Sequence, residues 1–242
     1  MTARVVRFAD GSELAQYVAR RLLERLLELQ SRQADVNVCL TGGRIANQVY
    51  ETFAALPECR DLDASNLSFW WSDERFVPTD SAERNSLQTF ALLARTLTLS
   101  PSNVHVMPAS DGKADADEAA FAYAQDLGDT VFDLNLLGVG ADGHVASIFP
   151  NHPSNEPTTL MAIGVADSPK APSERISLTI AALNRSRAIW LIAKGSEKSD
   201  AVARSVAGDS ALPASRVAGL DETIWFVDEA AASGLPYFEC DL

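Results

Sequence analysis

The chain has 242 residues, 47% of them hydrophobic and 22% charged, with a formal net charge of −13. That is the profile of a globular protein, and its acidity argues against nucleic acid and anionic membrane as partners. No basic segment followed by an apolar stretch opens the chain, and no apolar run approaches the roughly 20 residues of a membrane span, so the expected setting is the cytoplasm.

Residues 5–8 (VVRF) predict a first strand. A helix over 10–30 follows, with capping-box spacing at Asp10 and Glu13 and helical period at Leu14, Tyr17, Val18, Leu22 and Leu26. Residues 36–40 (VNVCL) predict a strand, 41–43 (TGG) a tight turn and 45–56 a helix that ends before Pro57. A strand over 67–71 (LSFWW) and helices over 85–97 and 117–127 come next. Residues 131–138 (VFDLNLLG) predict a strand, with a helix beginning near Ala146. Residues 175–186 start as a strand and continue as a helix. A strand over 188–195, a helix from Glu197 to Val206 and a last strand over 223–227 complete the pattern.

The strands are mostly continuous apolar runs and helices alternate with them. That predicts an α/β fold with a mostly parallel sheet, flanked by helices on both faces. No linker, repeat or composition break divides the chain, so 1–242 is expected to form one domain. Three scattered cysteines (Cys39, Cys59, Cys240) with no C-x-x-C spacing fit a reducing compartment and give no sign of a structural zinc site.

In such folds ligands bind beyond the carboxyl ends of the strands. Four segments fall there. Thr41, Gly42 and Gly43 open a helix whose N-terminus favours an anion, with Arg44 adding a full charge; a turn that merely needs two glycines would read the same. Asp73, Glu74 and Arg75 follow two tryptophans, where a solvated charged turn is the competing reading. "GVGADGHVASIFP" brings His144 to the mouth of the sheet, with Asp142 two residues before it. Histidine is the usual general base near neutral pH, although a loop histidine bonded to backbone is the plainer alternative. Lys170, Arg175, Lys194 and Lys198 complete a set able to form a phosphate pocket in an acidic protein. His105 and His152 lack comparable settings and read as structural. Glycines 138, 140 and 143 match a dinucleotide fingerprint only formally, because Asp142 would repel a pyrophosphate.

Taken in order, "LTGG", "WWSDERFVPTDSAERNS", "VFDLNLLGVGADGHVASIFP", "ERISLTIAALN" and "IAKGSEKSDAV" resemble the 6-phosphogluconolactonase family over roughly 36–205. That family is similar in fold to the glucosamine-6-phosphate deaminases. The resemblance implies a Rossmann-like α/β domain that hydrolyses 6-phospho-D-glucono-1,5-lactone to 6-phosphogluconate, in the oxidative pentose phosphate pathway, with no cofactor and no metal. It places the water-activating base at His144, with Asp142 beside it. Asp73 and Arg75 join the catalytic set, Arg75 toward the oxyanion or the phosphate. Substrate binding falls to Gly42, Gly43, Arg44, Lys170, Arg175 and Lys198.

Arg44 departs from the family, which commonly has a small hydroxyl residue there. Ser177 and Ser199 replace the usual threonine and alanine. The only partner implied is the small phosphorylated sugar lactone, and a monomer is the simplest expectation. Two other readings share the fold: an amino-sugar phosphate isomerase or deaminase, disfavoured by the "WWSDERFVP" block, and a non-catalytic sugar-phosphate sensor, disfavoured by the intact DGH.

Overall fold

The computed structural model describes residues 3–112 and 115–236; Cys240 lies outside them. In chain order the elements are β1 (Arg4–Phe8), α1 (Gly11–Gln30), β2 (Val36–Leu40), α2 (Arg44–Ala54), β3 (Leu67–Trp71), β4 (Asp73–Arg75), α3 (Asn85–Leu93), β5 (Val104–His105) and α4 (Ala116–Leu127). Then come β6 (Phe132–Gly138), β7 (Ala162–Val165), β8 (Arg175–Leu178), α5 (Ile180–Leu183), β9 (Ser186–Ala193), α6 (Ser199–Val206), β10 (Glu222–Asp228) and α7 (Glu229–Ala232). No described helix is long and apolar enough to cross a membrane.

Helix α1 begins where its caps dictate. The Asp10 carboxylate accepts from Ser12 N at 2.7 Å and Glu13 N at 2.9 Å, while Glu13 reaches back to Ala9 N at 2.7 Å. Leu14, Val18, Leu22 and Leu26 are buried as their spacing predicts. Tyr17 is 44% exposed, but its ring closes over Phe8 and Phe226 at the edge of the core.

Seven parallel strands form one sheet in the order β1-β10-β9-β6-β2-β3-β5. Successive side chains of a strand point to opposite faces, and here both faces are covered. Trp71, Trp190 and Phe226 enter one apolar cluster; their neighbours Trp70, Ile189 and Trp225 enter the other. This double burial is why the strands read as unbroken apolar runs. From β2 the chain moves on to β3 and β5 on one side; from β6 it moves to β9 and β10 on the other. β2 and β6 are neighbours, so the chain leaves their carboxyl ends in opposite directions and opens a crevice there.

Several features depart from expectation. Residues 73–75, expected only as a segment following a strand, are themselves the edge strand of a second, antiparallel sheet, β4-β8-β7. And no helix starts near Ala146. That residue has φ 49°, in the left-handed region a right-handed helix cannot use, and the segment is pinned elsewhere. Ser147 N donates to Ser177 Oγ at 3.1 Å, and Ile148 N to Val145 O at 2.9 Å. The expected helices over 85–97 and 197–206 are shorter, ending at Leu93 and starting at Ser199.

Candidate active site

A cleft of about 500 Å³ opens above the β2–β6 crevice. Nine of the ten candidate residues line it: Gly42, Gly43, Arg44, Asp73, Arg75, His144, Lys170, Arg175 and Lys198. Asp142, the tenth, stands directly behind His144.

The glycine turn is held from below. Tyr50 OH donates to Thr41 O at 3.0 Å and accepts from Thr41 N at 3.1 Å. A Cβ at Gly42 would overlap the Asn85 amide, and Gly43, with open space around it, has φ 108°, a backbone conformation that residues with side chains rarely adopt. No side chain caps α2, which leaves the amides of its first turn at the edge of the cleft. Arg44, at that helix start, also lines the cleft.

The three charged residues of β4 divide by strand alternation. Asp73 and Arg75 share one face, opposite Ser177 and Arg175 of β8. Asp73 Oδ2 accepts from Ser147 Oγ at 2.7 Å, and Asn85 Nδ2 donates to Asp73 O at 3.0 Å. Arg75 Nη1 donates to Glu83 O at 2.6 Å. Glu74 points the other way and is fully buried. Its carboxylate accepts from Asn85 N at 2.6 Å, Ser86 N at 2.9 Å and Ser86 Oγ at 2.7 Å, with Arg84 Nη2 at 3.7 Å. The central acid of the DER motif therefore caps α3 from outside that helix, while its two neighbours face the cleft.

The DGH loop leaves the end of β6 as a closed turn: Gly140 N donates to His144 O at 2.9 Å and Gly143 N to Gly140 O at 3.0 Å. A Cβ at Gly140 would strike the His144 ring, and Gly143 has φ 82°. His144 Nδ1 bonds Asp142 Oδ1, and the ring rests 4.6 Å from that of Phe149. Burial works to raise the Asp142 pKa. The hydrogen bond from His144, and the charges of His144 and Lys170, outweigh it and hold the carboxyl well below the usual range. An ionised carboxylate only accepts, so Nδ1 carries the proton and the lone pair of the neutral ring lies on Nε2.

Cations gather opposite. Lys170 Nζ lies 3.9 Å from Asp142 Oδ1, and Lys194 Nζ donates to Gln48 Oε1 at 3.4 Å. The Asp228 carboxylate holds the turn before α6 through Gly195 N at 3.0 Å and so fixes the segment bearing Lys194 and Lys198. Desolvation, with Lys170 and Arg44 nearby, pulls the Lys198 pKa down, against Glu197 and Asp142. A half-buried lysine among like charges is a site prepared for an anion. Desolvation also lowers Arg175, against the pull of Asp73.

The two other histidines stand apart from this assembly. His105 stacks on Trp70 at 3.7 Å and meets Asp126 at 2.8 Å, and His152 bonds Ser154 at 3.0 Å and Ala166 O at 3.0 Å. Cys39 and Cys59 are buried and unpaired, with the Cys59 thiol pushed up to about 11 by burial.

Asn85 and Ser147 were not foreseen as parts of the site, Gln48 lines it beyond the expected set, and Lys194, expected among the pocket cations, lines it as well. Asn85 could have been found in the "RN" of its motif; Ser147 reaches Asp73 across 74 positions with no local signal.

The family model described as glucosamine-6-phosphate isomerases/6-phosphogluconolactonase matches residues 9–225. The chain belongs to this family. A 6-phosphogluconolactonase from Streptomyces coelicolor is 41% identical, covering 97% of this chain and 95% of its own. One from Mycobacterium leprae is 36% identical over 98% and 100%. Among solved structures, 6-phosphogluconolactonase from Thermotoga maritima superposes with a TM-score of 0.82 at 28% identity, covering 93% of this chain and 99% of that one. A monomeric glucosamine-6-phosphate deaminase shares the fold, with a TM-score of 0.79 at 22% identity over 96% and 99%.

Proposed function

We propose that this chain hydrolyses 6-phospho-D-glucono-1,5-lactone to 6-phosphogluconate with a water activated by His144 and without a metal. The observation that carries the reading is the His144–Asp142 pair at the rim of a cleft that six lysines and arginines help to line.

His144 Nε2 takes a proton from water as the water oxygen attacks the lactone carbonyl carbon. The carbonyl oxygen becomes an oxyanion, and Arg75 is the cation assigned to it. The bond from that carbon to the ring oxygen then breaks, and His144 returns its proton to the leaving oxygen. The new carboxylic acid ionises. Asp142 stays ionised throughout and keeps the ring oriented, while Asp73 holds the site's buried hydrogen-bond network. A positioned base contributes about 10²–10⁴-fold and an oxyanion-stabilising group on the order of 10²–10³.

The phosphate is assigned to the amides of the Gly42–Gly43 turn with Arg44 and Lys198, and Lys170, with its Nζ 3.9 Å from Asp142 Oδ1, is assigned to the substrate's reacting end. The phosphate lies far from the reacting carbon, so its binding energy orients the ring for attack. Localisation in the cytoplasm and action as a monomer accompany this reading.

The test generates the lactone in situ with glucose-6-phosphate dehydrogenase and follows 6-phosphogluconate with its own dehydrogenase, in EDTA, against the spontaneous rate. Acceleration is expected, and His144→Ala should lower kcat by about 10²–10⁴-fold with KM little changed. A His144→Ala enzyme of wild-type kcat rules out the base assignment.

A further inference from the structure

Arg175 opens β8, and family resemblance assigns its side chain to the phosphate. Its surroundings point elsewhere. The residue is only 5% exposed. Nε donates to Pro172 O at 3.1 Å, and Nη2 to Lys170 O at 2.9 Å and Ala171 O at 3.3 Å. Nη1 reaches Ser147 Oγ at 3.5 Å. A guanidinium has five N–H groups. Three are spent on consecutive carbonyls and a fourth faces a buried hydroxyl, so the two parallel donors of a bidentate phosphate contact are not available.

What those carbonyls belong to gives the role. Residues 166–174 connect β7 to β8 and carry Lys170 over the cleft. Ser168 closes the same loop: its Oγ donates to Lys170 O at 3.0 Å and accepts from Lys170 N at 3.4 Å, and its N–H donates to Ser173 O at 2.9 Å. The Lys170 side chain is long and 46% exposed, with its Nζ 3.9 Å from Asp142 Oδ1. Its own backbone is the anchor that aims it, and Arg175 grips that backbone from inside.

We propose that Arg175 is a positioning residue. It clamps the 170–172 carbonyls so that the Lys170 ammonium faces the Asp142–His144 pair, and it does not bind the substrate's phosphate. The assignment of a catalytic consequence rests on the lactonase reading above; the clamp does not.

Arg175→Lys separates the two roles. It keeps the charge that a phosphate ligand supplies but cannot span three carbonyls with one ammonium. Arg175→Lys and Arg175→Gln are both expected to lower kcat by about 10²-fold, while inhibition by inorganic phosphate stays near wild type. In a Lys170→Ala background, Arg175→Lys should add little further loss. Hydrogen exchange of the 168–171 amides should speed up in Arg175→Lys while that of β6 and β9 stays unchanged.

The proposal is overturned by an Arg175→Lys enzyme of wild-type kcat, by weakened phosphate inhibition in Arg175→Gln, or by losses that multiply with Lys170→Ala. If Arg175→Gln does not fold, Arg175→Lys decides alone. The exchange measurement needs no substrate. A loosened loop in Arg175→Lys beside an inactive wild type would sink the lactonase reading and leave the clamp standing; an unchanged loop would sink the clamp whatever the activity.

Discussion

Asp142 is the residue through which pH acts on both the fold and the base. In the folded chain its carboxyl is held below the unfolded value of about 3.9 by the hydrogen bond and charge of His144 and by Lys170, which together exceed the cost of burial. A depressed carboxyl pKa stabilises the fold fully above the unfolded value, and that contribution is lost as pH falls through the folded one. The stability gap between the wild type and Asp142→Asn, measured by urea unfolding, should therefore be constant above about pH 5 and shrink below about pH 4. A gap that widens on acidification would reverse the sign. In catalysis Asp142→Asn offers the ring an amide in place of an acceptor of fixed charge. A loss of up to about 10⁴-fold in kcat is expected where an aspartate sets a histidine tautomer, measured in the same coupled assay. At this scale His144, Asp142 and Arg75 were legible because each sits in a contiguous motif beyond a strand. Ser147 was not, since its work is a contact with Asp73 that forms only once two segments 74 positions apart meet.

Among the elements, α3 shows how one motif divides its labour. Its N-cap, Arg84, makes no side-chain cap, and the amides of Asn85 and Ser86 are served instead by Glu74 from β4. Because Asn85 also touches Asp73 and packs under Gly42, the start of this helix ties the glycine turn to β4. Removing the carboxylate strands several buried donors and the Arg84 charge. Glu74→Ala should cost about 3–5 kcal/mol in urea unfolding, and the protein that remains folded should keep its Asp142–His144 pair. An unaltered midpoint would show that the cap carries no weight. Glu74 read in the sequence as one acid of a charged run, and only the alternation of a three-residue strand separates it from its neighbours. The long helices could be read from their period of 3.6 and the parallel strands from their unbroken apolar runs. The antiparallel sheet could not, because three charged residues give no apolar period, and the helix expected at Ala146 failed to a backbone held at φ 49° by contacts with β8.

Over the whole molecule, a net charge of −13 surrounds a cleft lined by Arg44, Arg75, Lys170, Arg175, Lys194 and Lys198, with Asp73 and Glu197 among them. The sheet order sets this contrast: the β2–β6 switch point is the one place where the glycine turn, the DGH loop and the α6 turn converge. An anionic substrate thus meets general repulsion and a single local attraction, and at physiological salt the screening length of about 8 Å confines both to the cleft's own neighbourhood. On the proposed assignment affinity depends chiefly on Lys198, which stands half-buried with its pKa pulled down by desolvation and by Lys170. A charge-assisted bond to such a group contributes about 1.5–3 kcal/mol, so Lys198→Ala should raise KM for the phosphorylated lactone roughly 10- to 100-fold with kcat little changed. It should weaken competitive inhibition by inorganic phosphate to a similar degree and leave turnover of the unphosphorylated lactone unaffected. Equal loss on both lactones would move Lys198 from the phosphate to the reacting end. That outcome would leave the phosphate to Arg44 and the first turn of α2.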